Sequence, residues 1–256
     1  MTDLQTAITT LSQRIAAILE PFAPSIYLYG SCVLNDFKMG WSDIDILVLT
    51  KTPISEEQAA RLVTLRQTLL EEEPNNPYFR SFEGGMLTLD TFLSGEADRV
   101  VYWGTSGERI TDRYQLDAFS AKLLAERGIL LYGTDVRERL PRPTFDDLKA
   151  AVRYHYDTIR KYVKKTGRNF YSFGWLLDIS RCLYTLRTGK ILSKTAAGEW
   201  ALREDLCPCV DALERAVAIR KEPDKYRRDK ATLDYAENLF ECIQRYADVL
   251  EKELNI

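Results

Sequence analysis

Apolar residues in this chain follow one style of patterning before residue 140 and another after it. In the first part, helical stripes alternate with short apolar runs. Leu4, Ile8, Leu11, Ile15 and Ile18 recur at three- and four-residue intervals, which predicts a helix over 3–19. Thr2 or Asp3 can cap it, and Pro21 and Pro24 end it. Residues 26–29 read as a short strand and 43–49 as a second. In the second, Ile44, Ile46 and Val48 share one face and Asp43 and Asp45 the other. Ser55, with Gln58 as its capping-box partner, opens a helix striped by Ala59, Leu62, Leu65 and Leu69. An acidic, proline-bearing loop covers 71–77. The stretch 80–92, RSFEGGMLTLDTF, predicts a third strand. Residues 100–104 are apolar and aromatic, and 103–107 form a flexible turn. A helix over 116–127 ends at Gly128, and a short extended segment at 129–132 closes the first domain.

Leu140-Pro141-Arg142-Pro143 is the linker, stiffened by its two prolines. Beyond it no strand signal appears. Helices are predicted from Thr144 to about 165, and over 169–187, 193–203 and 210–221. A long fifth starts at Asp229 or Lys230 and runs to 252, with Leu233, Ala236, Phe240, Ile243, Ala247 and Leu250 on one face. The expected fold is α+β: a mixed sheet with helices over 1–140, then an all-α helical bundle over 144–256.

Charge and cysteine usage narrow the classes. The chain has 256 residues and a net charge of −3, which argues against a dedicated nucleic-acid binder. No apolar run is long enough to span a membrane. The opening MTDLQTAITT lacks a secretory layout, so the expected location is cytoplasmic, and the chain is taken as a monomer. Cys32, Cys182, Cys207, Cys209 and Cys242 are odd in number and scattered, which reads as free thiols. The single histidine, His155, excludes a histidine metal cluster or a Ser-His-Asp triad and reads as a partly exposed helical residue.

The chemistry concentrates in 27–50, YLYGSCVLNDFKMGWSDIDILVLT. Asp43 and Asp45 project from the same face of a strand. Two such carboxylates repel each other unless cations neutralise them, and Mg²⁺, one or two ions, prefers hard oxygen ligands. Gly30-Ser31 lets backbone approach a phosphate, with turn N–H groups available to an anion. The combination points to a metal-bound nucleoside triphosphate. A third acid is needed near the attacking hydroxyl, and Glu83 and Asp90 are the candidates. Their parity is opposite, so an unbroken strand sends them to different faces unless Gly84-Gly85 forms a bulge. Trp103 reads either as core or as a wall of the substrate pocket.

Gly30, Ser31, Gly40, Ser42, Asp43 and Asp45 resemble the signature of the polymerase-β-like nucleotidyltransferase superfamily. Further on, Tyr184-Thr185-Leu186-Arg187-Thr188-Gly189-Lys190 and Ser193-Lys194-Thr195-Ala196-Ala197-Gly198-Glu199-Trp200 resemble the C-terminal region of the streptomycin/spectinomycin 3''(9)-O-adenylyltransferases. That resemblance implies a nucleotidyltransferase domain followed by a helical bundle, with ATP and a small-molecule acceptor bound between them. It implies Asp43 and Asp45 as the metal pair and Glu83 as the catalytic base. It implies Ser31 and Ser42 as phosphate contacts, and Lys194 and Arg181 as cations on the triphosphate. The drug-modifying members carry acidic residues where this chain has Asn169-Phe170-Tyr171-Ser172-Phe173, and the segment from Trp103 onward also differs. Tyr171, Trp175 and Asp178 share a helix face by spacing, as an aromatic-acidic pocket or as the buried seam of the bundle. The implied activity is transfer of AMP from ATP to a hydroxyl of an aminoglycoside-type acceptor. A protein or RNA acceptor remains an alternative, with the basic cluster Lys225-Tyr226-Arg227-Arg228 as its one support. A non-catalytic nucleotide-binding module is another.

Overall fold

A computed structural model describes residues 3–20, 22–104 and 107–255. The expectations placed on Thr2 and Pro21, and on the tip of the turn at Thr105-Ser106, fall outside the described residues. Two compact units divide the chain, Met1–Arg142 and Pro143–Ile256.

The first unit is built on a six-stranded sheet. Its elements are α1 (Leu4–Leu19), β1 (Ser25–Tyr29), β2 (Ile44–Thr50), α2 (Glu56–Glu72), β3 (Phe82–Thr88), α3 (Leu89–Ser94), β4 (Val100–Gly104), β5 (Gly107–Thr111), α4 (Ala118–Arg127) and β6 (Ile129–Tyr132). The strand order is β5-β4-β3-β2-β1-β6. β2 and β3 run parallel, and the other neighbours are antiparallel. Parallel neighbours need a crossover, and α2 supplies it.

Alternation divides the sheet between two cores. Ile26, Leu28, Ile44, Ile46, Val48, Phe82, Met86 and Trp103 pack with the apolar stripes of α1 and α2. Tyr27, Tyr29, Leu47, Leu49, Leu87 and Val100 pack on the opposite side with Leu124 of α4. Each fully buried leucine or isoleucine of those stripes contributes about 1.5–3 kcal/mol. The caps are as expected. Asp3 accepts from the Thr6 N–H at 2.7 Å, and both halves of the Ser55–Gln58 capping box are made. Gln58 also donates to the Ile18 carbonyl at 3.1 Å, tying α2 to α1.

Two local expectations fail here. The third strand stops at Thr88, whose hydroxyl accepts the Thr91 N–H at 3.0 Å and starts α3, so Leu89–Phe92 is helical. The strand β5 was not expected, because GERIT has no apolar alternation. It is an edge strand with no buried residue, and its hairpin partner β4 aligns it.

The second unit is helical: α5 (Phe145–Tyr162), α6 (Gly174–Thr188), α7 (Lys194–Arg203), α8 (Val210–Lys221), the short α9 (Pro223–Tyr226), α10 (Lys230–Glu237) and α11 (Phe240–Leu254). α6 is the buried centre, touching α5, α7, α8 and α11. On it, Ser180 Oγ donates to Leu176 O and lies 3.0 Å from the Tyr246 hydroxyl of α11. The helix expected over 169–187 begins only at Gly174, because Phe170–Phe173 is a 3-10 turn in which the Asn169 side chain accepts the Tyr171 N–H. The long fifth helix is two. Thr166 breaks it, its hydroxyl donating to Glu237 O at 3.0 Å and accepting the Phe240 N–H at 3.2 Å.

Candidate active site

Strand register assembles the carboxylates. Asp45 lies directly opposite Tyr29 on β1 and Glu83 on β3. The β2–β3 register runs unbroken from Ile44↔Phe82 to Thr50↔Thr88, so no bulge resets the parity. One step along, Gly85 pairs with Tyr102, and Tyr102 with Arg109. Tyr29, Asp45, Glu83, Tyr102 and Arg109 therefore share one face of the sheet. Asp43 stands just before β2.

The turn after β1 closes on this row. Gly30 has φ +69°, and a Cβ there would lie 1.8 Å from Asp45 Oδ2, so only glycine lets the turn meet the carboxylate. The Ser31 N–H donates to Asp45, and the Ser31 hydroxyl lies 3.4 Å from the Asp43 carbonyl. Ser42 is buried, and its hydroxyl oxygen accepts the Lys38 N–H at 3.0 Å, a contact that closes the loop between the strands.

Burial first, then the charges of Asp43 and Glu83, push the Asp45 carboxyl up to about 8. Burial and Asp45 likewise push the Cys32 thiol up to about 12, which leaves it protonated and unreactive. Tyr102 donates its hydroxyl to Glu83 Oε1 at 3.0 Å, and burial followed by Glu83 raises its pKa above the ordinary phenol value. The Tyr29 and Tyr114 hydroxyls are 3.2 Å apart. Behind Glu83, Arg66 of α2 donates to Phe82 O at 2.7 Å and pairs with Glu108 of β5, bracing the start of β3. A cavity of about 520 Å³ opens over the row, lined by Asp45, Glu83, Tyr102, Arg109, Tyr114 and Asp117 among others.

No group of three or more histidine, cysteine, aspartate or glutamate side chains among the described residues forms a ready-made metal cage. The site is instead a crowded carboxylate pair beside an acid. Its donors are hard oxygens, and the mutual repulsion felt by Asp45 is what a divalent cation would relieve. That fits Mg²⁺, which keeps several waters and takes one or two carboxylates.

Several expected residues lie elsewhere. Asp90 is on α3, largely exposed, 3.8 Å from Arg139, because Thr88 turns the chain into a helix before it. Trp103 is not a pocket wall. It pairs with Gly84, the opposite parity to Tyr102, and is fully buried with Nε1 donating to Leu62 O at 3.1 Å. Tyr171 lies in the 3-10 turn rather than on α6, so it does not share a helical face with Trp175 and Asp178. In the helical unit, Asp178 meets Arg181 at 3.2 Å and Lys194 at 3.1 Å. Burial alone would raise its carboxyl, but Lys194, Arg181 and His155 together hold it below the ordinary range. Tyr29, Tyr102, Arg109, Tyr114 and Asp117 were not singled out from the sequence. Tyr29 lies next to the Gly30-Ser31 turn in sequence, whereas Tyr102 depends on the β3–β4 register, which local pattern does not carry.

Residues 13–76 match the nucleotidyltransferase domain family, and residues 141–246 match the C-terminal domain of aminoglycoside adenylyltransferases. The spectinomycin 9-adenylyltransferase of Campylobacter jejuni is 26% identical over 204 residues, covering 72% of this chain and 73% of its own. That of Staphylococcus aureus is 24% identical over 205 residues, covering 74% and 76%. Among solved structures, the spectinomycin adenyltransferase AAD(9) from Enterococcus faecialis, crystallised with ATP and spectinomycin, superposes with a TM-score of 0.69. It is 17% identical and covers 97% of this chain and 100% of its own, a likeness of fold. The chain is thus a polymerase-β-like nucleotidyltransferase with an aminoglycoside-adenylyltransferase C-terminal domain, distantly related to the spectinomycin 9-adenylyltransferases.

Proposed function

We propose that this protein transfers AMP from ATP to a hydroxyl group of a small acceptor of the aminoglycoside or aminocyclitol type. The observation that carries the chemistry is the alignment of Asp45 with Glu83 across adjacent parallel strands, with Asp43 close enough to raise Asp45. The acceptor class is supported by the match of residues 141–246 and by the names of the relatives. What Mg²⁺ held by Asp43 and Asp45 supplies is neutralisation of those carboxylates and of the triphosphate.

Glu83 accepts the proton of the acceptor hydroxyl, and that oxygen attacks the α-phosphorus. The bond to the β-phosphate oxygen breaks, and pyrophosphate leaves with the electron pair. Gly30 and Ser31 form the turn we assign to the phosphates, with Ser42 holding the loop that follows it. In the helical unit Arg181 and Lys194 are the proposed phosphate contacts, already gathered by Asp178. The direct test is pyrophosphate release from Mg²⁺-ATP across a panel of aminoglycosides including spectinomycin and streptomycin. Release with one drug, lost by roughly 10²–10⁴-fold in Glu83→Gln, is the expected result. Turnover at the wild-type rate in that variant would sink the assignment.

A further inference from the structure

We infer that Tyr102 is a positioning residue for the transfer step, its phenol fixing which oxygen of Glu83 faces the acceptor. The inference rests on the reading of Glu83 as the base. Register puts Tyr102 opposite Gly85, one same-face step beyond Glu83, so its side chain reaches the glutamate only by lying diagonally along the sheet. It does so, with the hydroxyl 3.0 Å from Oε1.

The neighbourhood is built to hold it there. A Cβ at residue 104 would fall 2.0 Å from the Tyr102 hydroxyl oxygen, so Gly104 is what leaves the phenol its place. A Cβ at residue 85 would fall 2.4 Å from the Tyr114 ring, so Gly85 lets Tyr114 lie over β3. The Tyr102 and Tyr114 ring centroids are 6.1 Å apart, and the Arg109 guanidinium sits 4.4 Å from the Tyr102 ring centroid. The phenol is thus flanked by an aromatic ring and a cation, and its hydroxyl meets the glutamate.

The chemistry follows from the count of oxygens. A glutamate on a strand can rotate its carboxylate freely, and a base that points away from the hydroxyl does nothing. With Oε1 engaged by the phenol, Oε2 is left as the proton acceptor, and its direction is set by the sheet rather than by chance. Tyr102 itself exchanges no proton with substrate.

The test is pyrophosphate release from Mg²⁺-ATP with water alone, spectinomycin or streptomycin as acceptor. Tyr102→Phe should lower kcat about tenfold while leaving KM for ATP within about twofold. Placed on Glu83→Gln, the same change should cost nothing further in residual release, because the group it orients is gone. Gly104→Ala, which crowds the hydroxyl from the other side, should give the same loss of kcat. Wild-type kcat in both Tyr102→Phe and Gly104→Ala overturns the inference. So does an equal fractional loss in the presence and absence of Glu83, which would mean a role not exerted through it. Glu83→Gln turning over normally, or no release by the wild-type protein with any of these acceptors, removes the base itself and the inference with it.

Discussion

Asp45 and Asp178 are the same residue type, each held mostly out of water, and they sit in opposite electrostatic surroundings. Around Asp45 stand Asp43 and Glu83, and its carboxyl is pushed up to about 8, burial being the largest cause. Around Asp178 stand Lys194, Arg181 and His155, and its carboxyl is held below the ordinary range although burial opposes this. After burial, neighbouring like charges dominate what Asp45 feels, and neighbouring cations dominate what Asp178 feels. A protein tolerates like charges at close range where a ligand is to neutralise them, and satisfies a buried charge internally where structure needs it. The pair therefore separates a carboxylate cluster dominated by like charge from one that carries its own cations.

The sharpest way to break this contrast is Asp45→Asn. It should reduce pyrophosphate release by about a thousandfold or more, while removing a repulsion and so raising stability by about 1 kcal/mol. Activity is read by pyrophosphate release and stability by thermal unfolding. A variant that lost both would show that Asp45 holds the sheet together rather than serving chemistry.

Asp178→Asn should act in the other direction. Two cations lose their shared anion, and the helical unit should lose about 1–3 kcal/mol. The sign with pH follows from the lowered carboxyl. Asp178 contributes its stability above its ordinary value of 3.8 and loses it as pH falls through the lower folded value. Urea unfolding of the wild-type protein followed at fixed wavelength should therefore show a stability loss below about pH 4 that is smaller in Asp178→Asn. Identical slopes in the two proteins would remove Asp178 from the account.

Smaller effects test the two residues that the fold moved away from the site. Trp103→Phe should lose about 1–3 kcal/mol, because the Leu62 carbonyl loses its buried donor, with KM for acceptor unchanged. Asp90→Asn should alter neither stability nor turnover beyond about twofold, as expected of an exposed residue 3.8 Å from Arg139. A tenfold loss of turnover in Asp90→Asn would reopen the choice between the two acids.

Much of this molecule was legible from local pattern. The stripe Leu4–Ile18, the Ser55–Gln58 box, the helix start at Thr144 and the strand carrying Asp45 all depend on neighbours within a few residues, and all formed. The misreadings share a cause. Helix against strand at Leu89–Phe92 turned on whether the Thr88 hydroxyl would cap, and the break in the long C-terminal helix turned on Thr166, some seventy residues away in sequence. The edge strand β5 carries little pattern of its own because its partner β4 aligns it.

The same division holds for the site. The sequence by itself pointed to Asp43 and Asp45 at the start of a strand, to Gly30-Ser31 before them, and to Glu83 or Asp90 as the candidate third acid. These are consequences of strand period and residue chemistry, and they need no long-range information. Only the tertiary structure placed Glu83, and not Asp90, beside Asp45, because which residue of β3 stands there is a matter of register between strands joined by a crossover helix. It alone brought Tyr102 and Arg109 to the same face, since their positions depend on two further registers. It alone showed Asp178 already satisfied by Lys194 and Arg181, because whether a buried charge finds a partner is settled by packing and not by spacing along the chain.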